Sequence, residues 1–371
     1  MKPQVITAGQ THILGDGENT RGTLFPDWTV GSLSQSAKAV AAQAEHGYTL
    51  FNQSQSTFGT TSYPGTAWWG GVAAPNGFIY CIPRDGTVVG KLDPSDDSFT
   101  TFGNFVGSNK WYGGVLAPNG CIYCVPYHGT QILKIDTSDD STDLFGSFDT
   151  SDKWNGGVLA PNGMIYCMPH DRTTILKINP SDDSTSTFGS LSGLNKWEGG
   201  VLGFNGCIYG IPGNSTSVLK IDPSDDSVST FGSLAGSSKW SGGVLAPNGC
   251  IYGNVNAGDA VLKIDPSDDT ATTFGTVDEV SNVSFSGCLG PDGMIYQMPY
   301  SAESFVKIDP TTDTVTRFGS VPADTGKWTG CVLGANGVIY GIPLQADTFL
   351  RLGQPVPVQS DFITSRHWNS A

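Results

Sequence analysis

A thirteen-residue block recurs seven times along this chain, and that recurrence limits what the chain can fold into. In its second copy the block reads Trp111-Tyr112-Gly113-Gly114-Val115-Leu116-Ala117-Pro118-Asn119-Gly120-Cys121-Ile122-Tyr123. Its leading Trp returns at Trp68, Trp111, Trp154, Trp197, Trp240 and Trp328, with Ser284 in the sixth copy. Its closing Tyr returns at Tyr80, Tyr123, Tyr166, Tyr209, Tyr252, Tyr296 and Tyr340, and both series step by 43 or 44 residues. A repeat of this length is one supersecondary unit that buries its apolar face only against its neighbours.

Each copy reads as four short strands. Gly-Gly-Val-Leu-Ala is the first, and the Pro-Asn-Gly after it is a turn, because Pro fixes φ and Asn-Gly tolerates the left-handed region. Ile122-Tyr123-Cys124-Val125-Pro126 is the second and Ile132-Leu133-Lys134-Ile135-Asp136 the third. Asp222-Pro223-Ser224-Asp225-Asp226-Ser227 then marks a turn whose side chains bond their own backbone, and the fourth strand ends in Thr-Phe-Gly, as at Thr187-Phe188-Gly189. Four strands of about five residues with no helical period give an all-β chain and one propeller blade per copy. The seventh copy stops at Gly353-Gln354-Pro355 without a fourth strand, while Ser56-Thr57-Phe58-Gly59 stands ahead of the first Trp. The sequence therefore predicts a seven-bladed ring over residues 54–353, closed by an N-terminal strand paired onto the last blade, since open sheet edges invite aggregation. Residues 1–53 form an N-terminal arm, with helix-forming residues 34–44, and residues 354–371 a C-terminal tail.

The 371 residues carry a formal charge of −15, and only 14% are charged. Phosphate backbones require clustered positive charge, so nucleic-acid binding is excluded as the main role. No stretch approaches the ~18 apolar residues of a membrane span. Met1-Lys2-Pro3-Gln4 leads into no secretory h-region, so no signal peptide is expected. The eight Cys follow the blades: Cys121, Cys207 and Cys250 share one second-strand position, Cys81, Cys124 and Cys167 another, and Cys288 and Cys331 fall on first strands. Cys121 and Cys124 point to opposite faces of a strand. No disulfide and no zinc are expected, consistent with assembly in a reducing compartment.

Ile308-Asp309-Pro310-Thr311-Thr312-Asp313-Thr314-Val315, together with the Asn-Gly or Asp-Gly turn before an aromatic strand, resembles the blades of the YVTN and streptogramin-lyase-like propellers. That resemblance covers about four-fifths of the chain and implies the fold, not the activity, because one propeller scaffold hosts many functions. Streptogramin lyases use His and Glu with a divalent cation on one face of the ring. The resemblance thus raises a metal-assisted lyase or hydrolase as an alternative, drawing on His128, His170, Asp171 and Glu303. The low charge, the Ser/Thr/Gly-rich strands and the flanking arms are also similar to propellers displayed on virus and phage particles. The reading adopted is a non-enzymatic, virion-associated binding module (capsid-decorating, fibre or host-contacting). Its arms would meet other virion or scaffold proteins, its ring a surface glycan or receptor, and no cofactor is implied.

Antiparallel connectivity puts the turns after strands one and three on one face, where they repeat almost unchanged. Loops after strands two and four lie on the other face and vary, which is where repeat scaffolds place specific binding. Its candidates are Arg84, Asp85, Tyr127, His128, His170, Asp171, Arg172, Asn214, Asn256, Asp259, Tyr300, Glu303, Gln345 and Asp347. The six repeated Trp could form a ring of sugar-stacking platforms, as in a multivalent lectin, but packing against the neighbouring blade accounts for a fixed repeat position better. Gly-Gly after each Trp fits crowding at the axis. Lys91, Lys134, Lys177, Lys220, Lys263, Lys307 and Arg351 share one third-strand position, where ordinary paired or solvated charge is expected, not an anion site. The Asp-Pro-Ser-Asp-Asp-Ser turns lack the Gly and distal Glu of a calcium loop and read as turn chemistry.

Overall fold

The computed structural model describes residues 4–7, 10–13, 51–61, 67–277 and 283–353. Those residues form seven four-stranded antiparallel sheets and one two-stranded sheet. The small sheet pairs Gln4–Thr7 with Gln10–Ile13 in the N-terminal arm, for which the sequence analysis expects no strand. The helix expected at 34–44 and the C-terminal tail lie outside the described residues.

Blade one shows the common plan: Trp68–Ala73, Ile79–Pro83, Val89–Asp93 and Ser98–Phe102, each paired with the next. Its second strand is buried throughout, its third carries a half-buried Lys91 between apolar neighbours, and its fourth is largely exposed. First strands touch in a closed cycle, blade seven returning to blade one, so they line the axis. The seventh blade orders Trp328–Leu333, Ile339–Pro343, Phe349–Leu352 and then Gln55–Phe58. Phe58 pairs with Phe349 and Thr57 with Leu350. The ring is shut by a strand that precedes the first copy, as the sequence predicts.

Gly-Gly after the repeat Trp has two separate causes. Gly156 lies at φ +71° in a bulge between Trp154 and Gly157, and a Cβ there would stand 2.9 Å from the Cα of Gly199 in the next blade. A Cβ on Gly157 would instead come within 2.9 Å of Val115 in the preceding blade. The first glycine lets backbones meet around the axis, and the second lets a blade accept its neighbour's valine.

On the monotonous face one latch repeats from blade to blade. Tyr123 donates to Asp183 Oδ1 of the following blade at 2.8 Å, Lys134 Nζ reaches Oδ2 of the same residue at 2.6 Å, and Asn119 donates to Pro180 O at 2.9 Å. Asp183 sits at φ +58°, the left-handed turn position that Asp tolerates. Equivalent sets join Tyr80 and Lys91 to Asp140, Tyr166 and Lys177 to Asp226, Tyr209 and Lys220 to Asp269, Tyr252 and Lys263 to Asp313, and Tyr340 and Arg351 to Asp97. The third-strand cation is thus paired, but across the blade boundary. The acid two residues along its own strand, such as Asp136, accepts from the Ser138 amide and hydroxyl instead.

The sixth boundary departs from this rule. Gly353 N donates to Ser54 O as Asp136 N does to Ser141 O, which puts Gln53 where other blades carry the latch aspartate. Tyr296 donates to Asp292 of its own blade and accepts from Gln53 Nε2. No ion pair to Lys307 is present among the described residues of that boundary.

Candidate functional site

Loops of the variable face divide into two groups. One group holds the loops together. Asp85 Oδ1 accepts from Asn109 N at 2.5 Å, Asp171 Oδ1 from Asn195 N at 2.6 Å and Asn214 Oδ1 from Ser238 N at 2.7 Å. All three donors have positive φ, so these side chains fasten a strained turn. His128 pairs with Asp152, and Arg172 with Asp149 and the Ser151 hydroxyl. Asp259, Glu303 and Asp347 use their backbone carbonyls to accept from Val277, Val321 and Thr61, with exposed side chains.

The other group faces the axis. Arg84, Tyr127, His170 and Asn256 directly follow their second strands, and Tyr300 holds the matching repeat position three residues past Gln297. Arg84, Tyr127 and Tyr300 meet a second set, the residue after each repeat Trp and, in blade six, after Ser284: Trp69, Tyr112, Asn155, Glu198, Ser241, Phe285 and Thr329. Trp69 stacks on Tyr112 at 4.5 Å between centroids, Tyr112 on Tyr127 at 3.9 Å, and Tyr127 meets His170 edge-on at 5.3 Å. On its other side Trp69 meets Phe285, which meets Tyr300. Arg84 lies over Trp69 and Tyr112 and donates Nε to the Tyr112 hydroxyl at 3.0 Å. An aromatic arc therefore crosses the axial mouth from blade six through blades one and two to blade three.

Blades three to five close the mouth with polar groups. His170 is buried, and burial holds its imidazole below the usual range while Asp171 opposes. Its Nδ1 lies 3.1 Å from Asp171 Oδ1 without hydrogen-bond alignment and, among the described residues, has no other partner; Asn256 Oδ1 is likewise buried and finds none among them. Burial pushes the Glu198 carboxyl up to about 7, and the Ser241 hydroxyl works against that rise. One half of the mouth is thus walled by aromatic rings stacked on one another, the other by hydrogen-bonding groups that retain unused capacity.

The repeated Trp take no part in this mouth. Trp154 and its equivalents are buried and donate Nε1 to a carbonyl twenty residues along the same blade, Thr174 in that case, at 2.8 Å. Lysines ahead of them are buried staples: Lys196 Nζ donates to His170 O and Gly193 O, and burial draws Lys153 down to about 8 against the charge of Asp152. All eight Cys are free thiols. Among the described residues no group of three or more His, Cys, Asp or Glu is placed to hold a metal ion, and no helix is long and apolar enough to cross a membrane. A cavity of about 560 Å³ opens elsewhere, on the latch face at the sixth boundary, lined by Phe51, Gln53, Asp292, Met294 and Lys307 among others.

With this geometry in hand, comparison with known proteins places the fold. A repeat family of unknown function, DUF6923, matches residues 205–352. No curated protein matches the chain in sequence. Streptogramin B lyase superposes with a TM-score of 0.70 at 13% identity, covering 81% of this chain and 98% of that one. A catalytically inactive His-to-Ala variant of virginiamycin B lyase from Staphylococcus aureus, solved with quinupristin, gives 0.70 at 12% identity over 81% and 99%. Hydrazine synthase from Kuenenia stuttgartiensis gives 0.61 at 13% over 84% and 100%. The chain is a seven-bladed β-propeller whose fold is similar to that of streptogramin B lyase. At such identities the likeness carries the fold alone, and the differing activities of these neighbours illustrate why.

Proposed function

We propose that this chain is a non-enzymatic binding module that takes one ligand per molecule at the axial mouth of its variable face. The observation that carries this reading is the asymmetry of the mouth. Its aromatic arc, Tyr300–Phe285–Trp69–Tyr112–Tyr127, faces polar Asn155, His170, Glu198 and Ser241. A ring with apolar faces and hydroxyl edges, as in a saccharide, suits both halves. Burial of the repeat Trp argues against one site per blade, so recognition is single, at the centre.

Display on a virion or comparable particle is supported by where the arms leave. Gly353 and Ser54 are hydrogen-bonded neighbours at the end of the last blade, on the latch face. The two ends of the ring lie there, opposite the mouth, so attachment through the arms would leave the mouth free. A glycan array on the full-length protein, followed by calorimetry on any hit, tests the reading. Saturable binding at one site per chain is expected, lost in Trp69→Ala and kept in Asp347→Ala. Binding that survives Trp69→Ala, or a stoichiometry near seven, would overturn it.

A further inference from the structure

The sixth boundary differs from the others in a second way, at the axis. At four boundaries the second glycine of one blade meets the first-strand valine of the blade before it. A Cβ on Gly71, Gly157, Gly200 or Gly243 would come within 3.2 Å of Val332, Val115, Val158 or Val201. In blade seven the glycine of this pair is Cys331, and in blade six the valine is Cys288. Both members of one touching pair have changed to cysteine at a single boundary. Their sulfurs stand 2.8 Å apart. Cys81, Cys121, Cys124, Cys167, Cys207 and Cys250 are buried, whereas Cys288 and Cys331 are both half-exposed.

We propose that Cys288 and Cys331 are a reversible disulfide site that bonds blade six covalently to blade seven. The location gives the bond a purpose. This boundary alone, among the described residues, carries Gln53 in place of the latch aspartate and holds no ion pair to its third-strand cation. It also borders the blade that is completed by a strand distant in sequence. A cross-link here encloses 43 residues and restrains the boundary that has the weakest electrostatic tie.

A low-molecular-weight disulfide such as oxidised glutathione supplies the oxidant. One protein thiolate attacks it, releasing one reduced glutathione and leaving a mixed disulfide. The second thiol loses its proton, attacks the protein sulfur and releases the second glutathione, so two thiols are oxidised as one glutathione disulfide is reduced. Burial and the neighbouring Cys288 hold the Cys331 thiol well above its ordinary range.

The test uses the full-length protein incubated with oxidised glutathione, alkylated, digested and read by mass spectrometry beside a thermal melt. A peptide pair linked through Cys288 and Cys331 is expected, with a melting midpoint about 5 °C higher that dithiothreitol reverses. In the Cys288→Val/Cys331→Gly variant, which restores the pairing of the other boundaries, the midpoint should not respond to oxidant. Stable glutathionylation of Cys288 without a link, linkage through other cysteines, or an unchanged oxidant response in the double variant would each overturn the proposal.

Discussion

Asp292 and Gln53 have exchanged roles across the Tyr296 hydroxyl. At every other blade boundary described, an asparagine from the blade's own turn donates to the tyrosine and an aspartate from the next blade accepts from it, as Asn119 and Asp183 do around Tyr123. Around Tyr296 the acceptor is local, at 2.7 Å, and the donor comes from across the boundary, at 3.2 Å. Hydrogen bonding of the buried phenol is conserved while its direction is reversed.

That exchange predicts strong coupling between the two positions. Gln53→Asp alone sets two carboxylates against one hydroxyl and should cost about 1–3 kcal/mol. Adding Asp292→Asn restores the common arrangement and gives Lys307 a carboxylate, so most of the loss should return. Urea denaturation of the two single variants and the double variant measures the coupling. Additive losses would show that the two residues act independently.

Removal of one latch aspartate should be felt beyond its surface position. Asp183→Ala removes the carboxylate that accepts from both Tyr123 and Lys134 and leaves an apolar residue to hold φ +58°. A loss of about 2–3 kcal/mol is expected, from the lost carboxylate acceptor shared by Tyr123 and Lys134 and from the left-handed backbone; Tyr123 keeps Pro180 O and Asn119. Asp183→Asn keeps a residue that tolerates that conformation and should cost about 1 kcal/mol, because the ion pair itself is half-exposed.

Alkali should unfold the ring steeply. Burial, aided by the latch aspartate, raises the hydroxyls of Tyr80, Tyr209 and Tyr252 and pushes Tyr123 and Tyr340 up to about 12. Above pH ~10 the unfolded chain loses these phenolic protons while the folded ring keeps them, so stability falls with rising pH. Thermal midpoints should therefore drop from about pH 10 upward. Phenolate absorbance of these tyrosines should appear together with unfolding; phenolate formed in a still-folded ring contradicts this.

Glu198 predicts a second pH dependence, at the mouth. Its carboxyl ionises near 7 in the folded protein against 4.5 ordinarily, because of burial. Between those values the folded state holds the extra proton, and stability declines as pH rises until the group is ionised in both states. Glu198→Gln removes that decline. It should raise the thermal midpoint relative to the parent at pH 8 and leave it nearly equal at pH 4.5.

The ring was legible because its rules are local. Trp, Gly-Gly, Asn-Gly and Asp-Asp fall at fixed spacings, and each answers a strand, bulge or turn requirement that a single blade can state. The orphan strand at Ser56–Gly59 completed the count. Partners across boundaries were harder, since Lys134 lies closer in sequence to Asp136 than to Asp183, and only the blade-to-blade offset reverses that order. A signal existed: a tyrosine and an aspartate recur 60 or 61 residues apart from Tyr80 and Asp140 to Tyr252 and Asp313, and Tyr296 breaks the series. The mouth was half visible. Loop variation led to Arg84, Tyr127, His170 and Tyr300, but equally to Asp85 and Asp171, which brace turns. Trp69, Tyr112 and Glu198 sat unnoticed inside the most constant block, although theirs is the column in that block that changes most from copy to copy.

Pairing of Ser56 with Arg351 joins residues 295 positions apart in the chain. On a ribosome adding about 5–20 residues per second, the early strand waits roughly 15–60 s for its partner to be made. Until then six complete blades must persist as an open arc, and the nascent protein carries an unclaimed β-edge at each end. Translation speed and chaperone access during that interval, more than the stability of the finished circle, decide how many chains close upon themselves and how many close upon a neighbour.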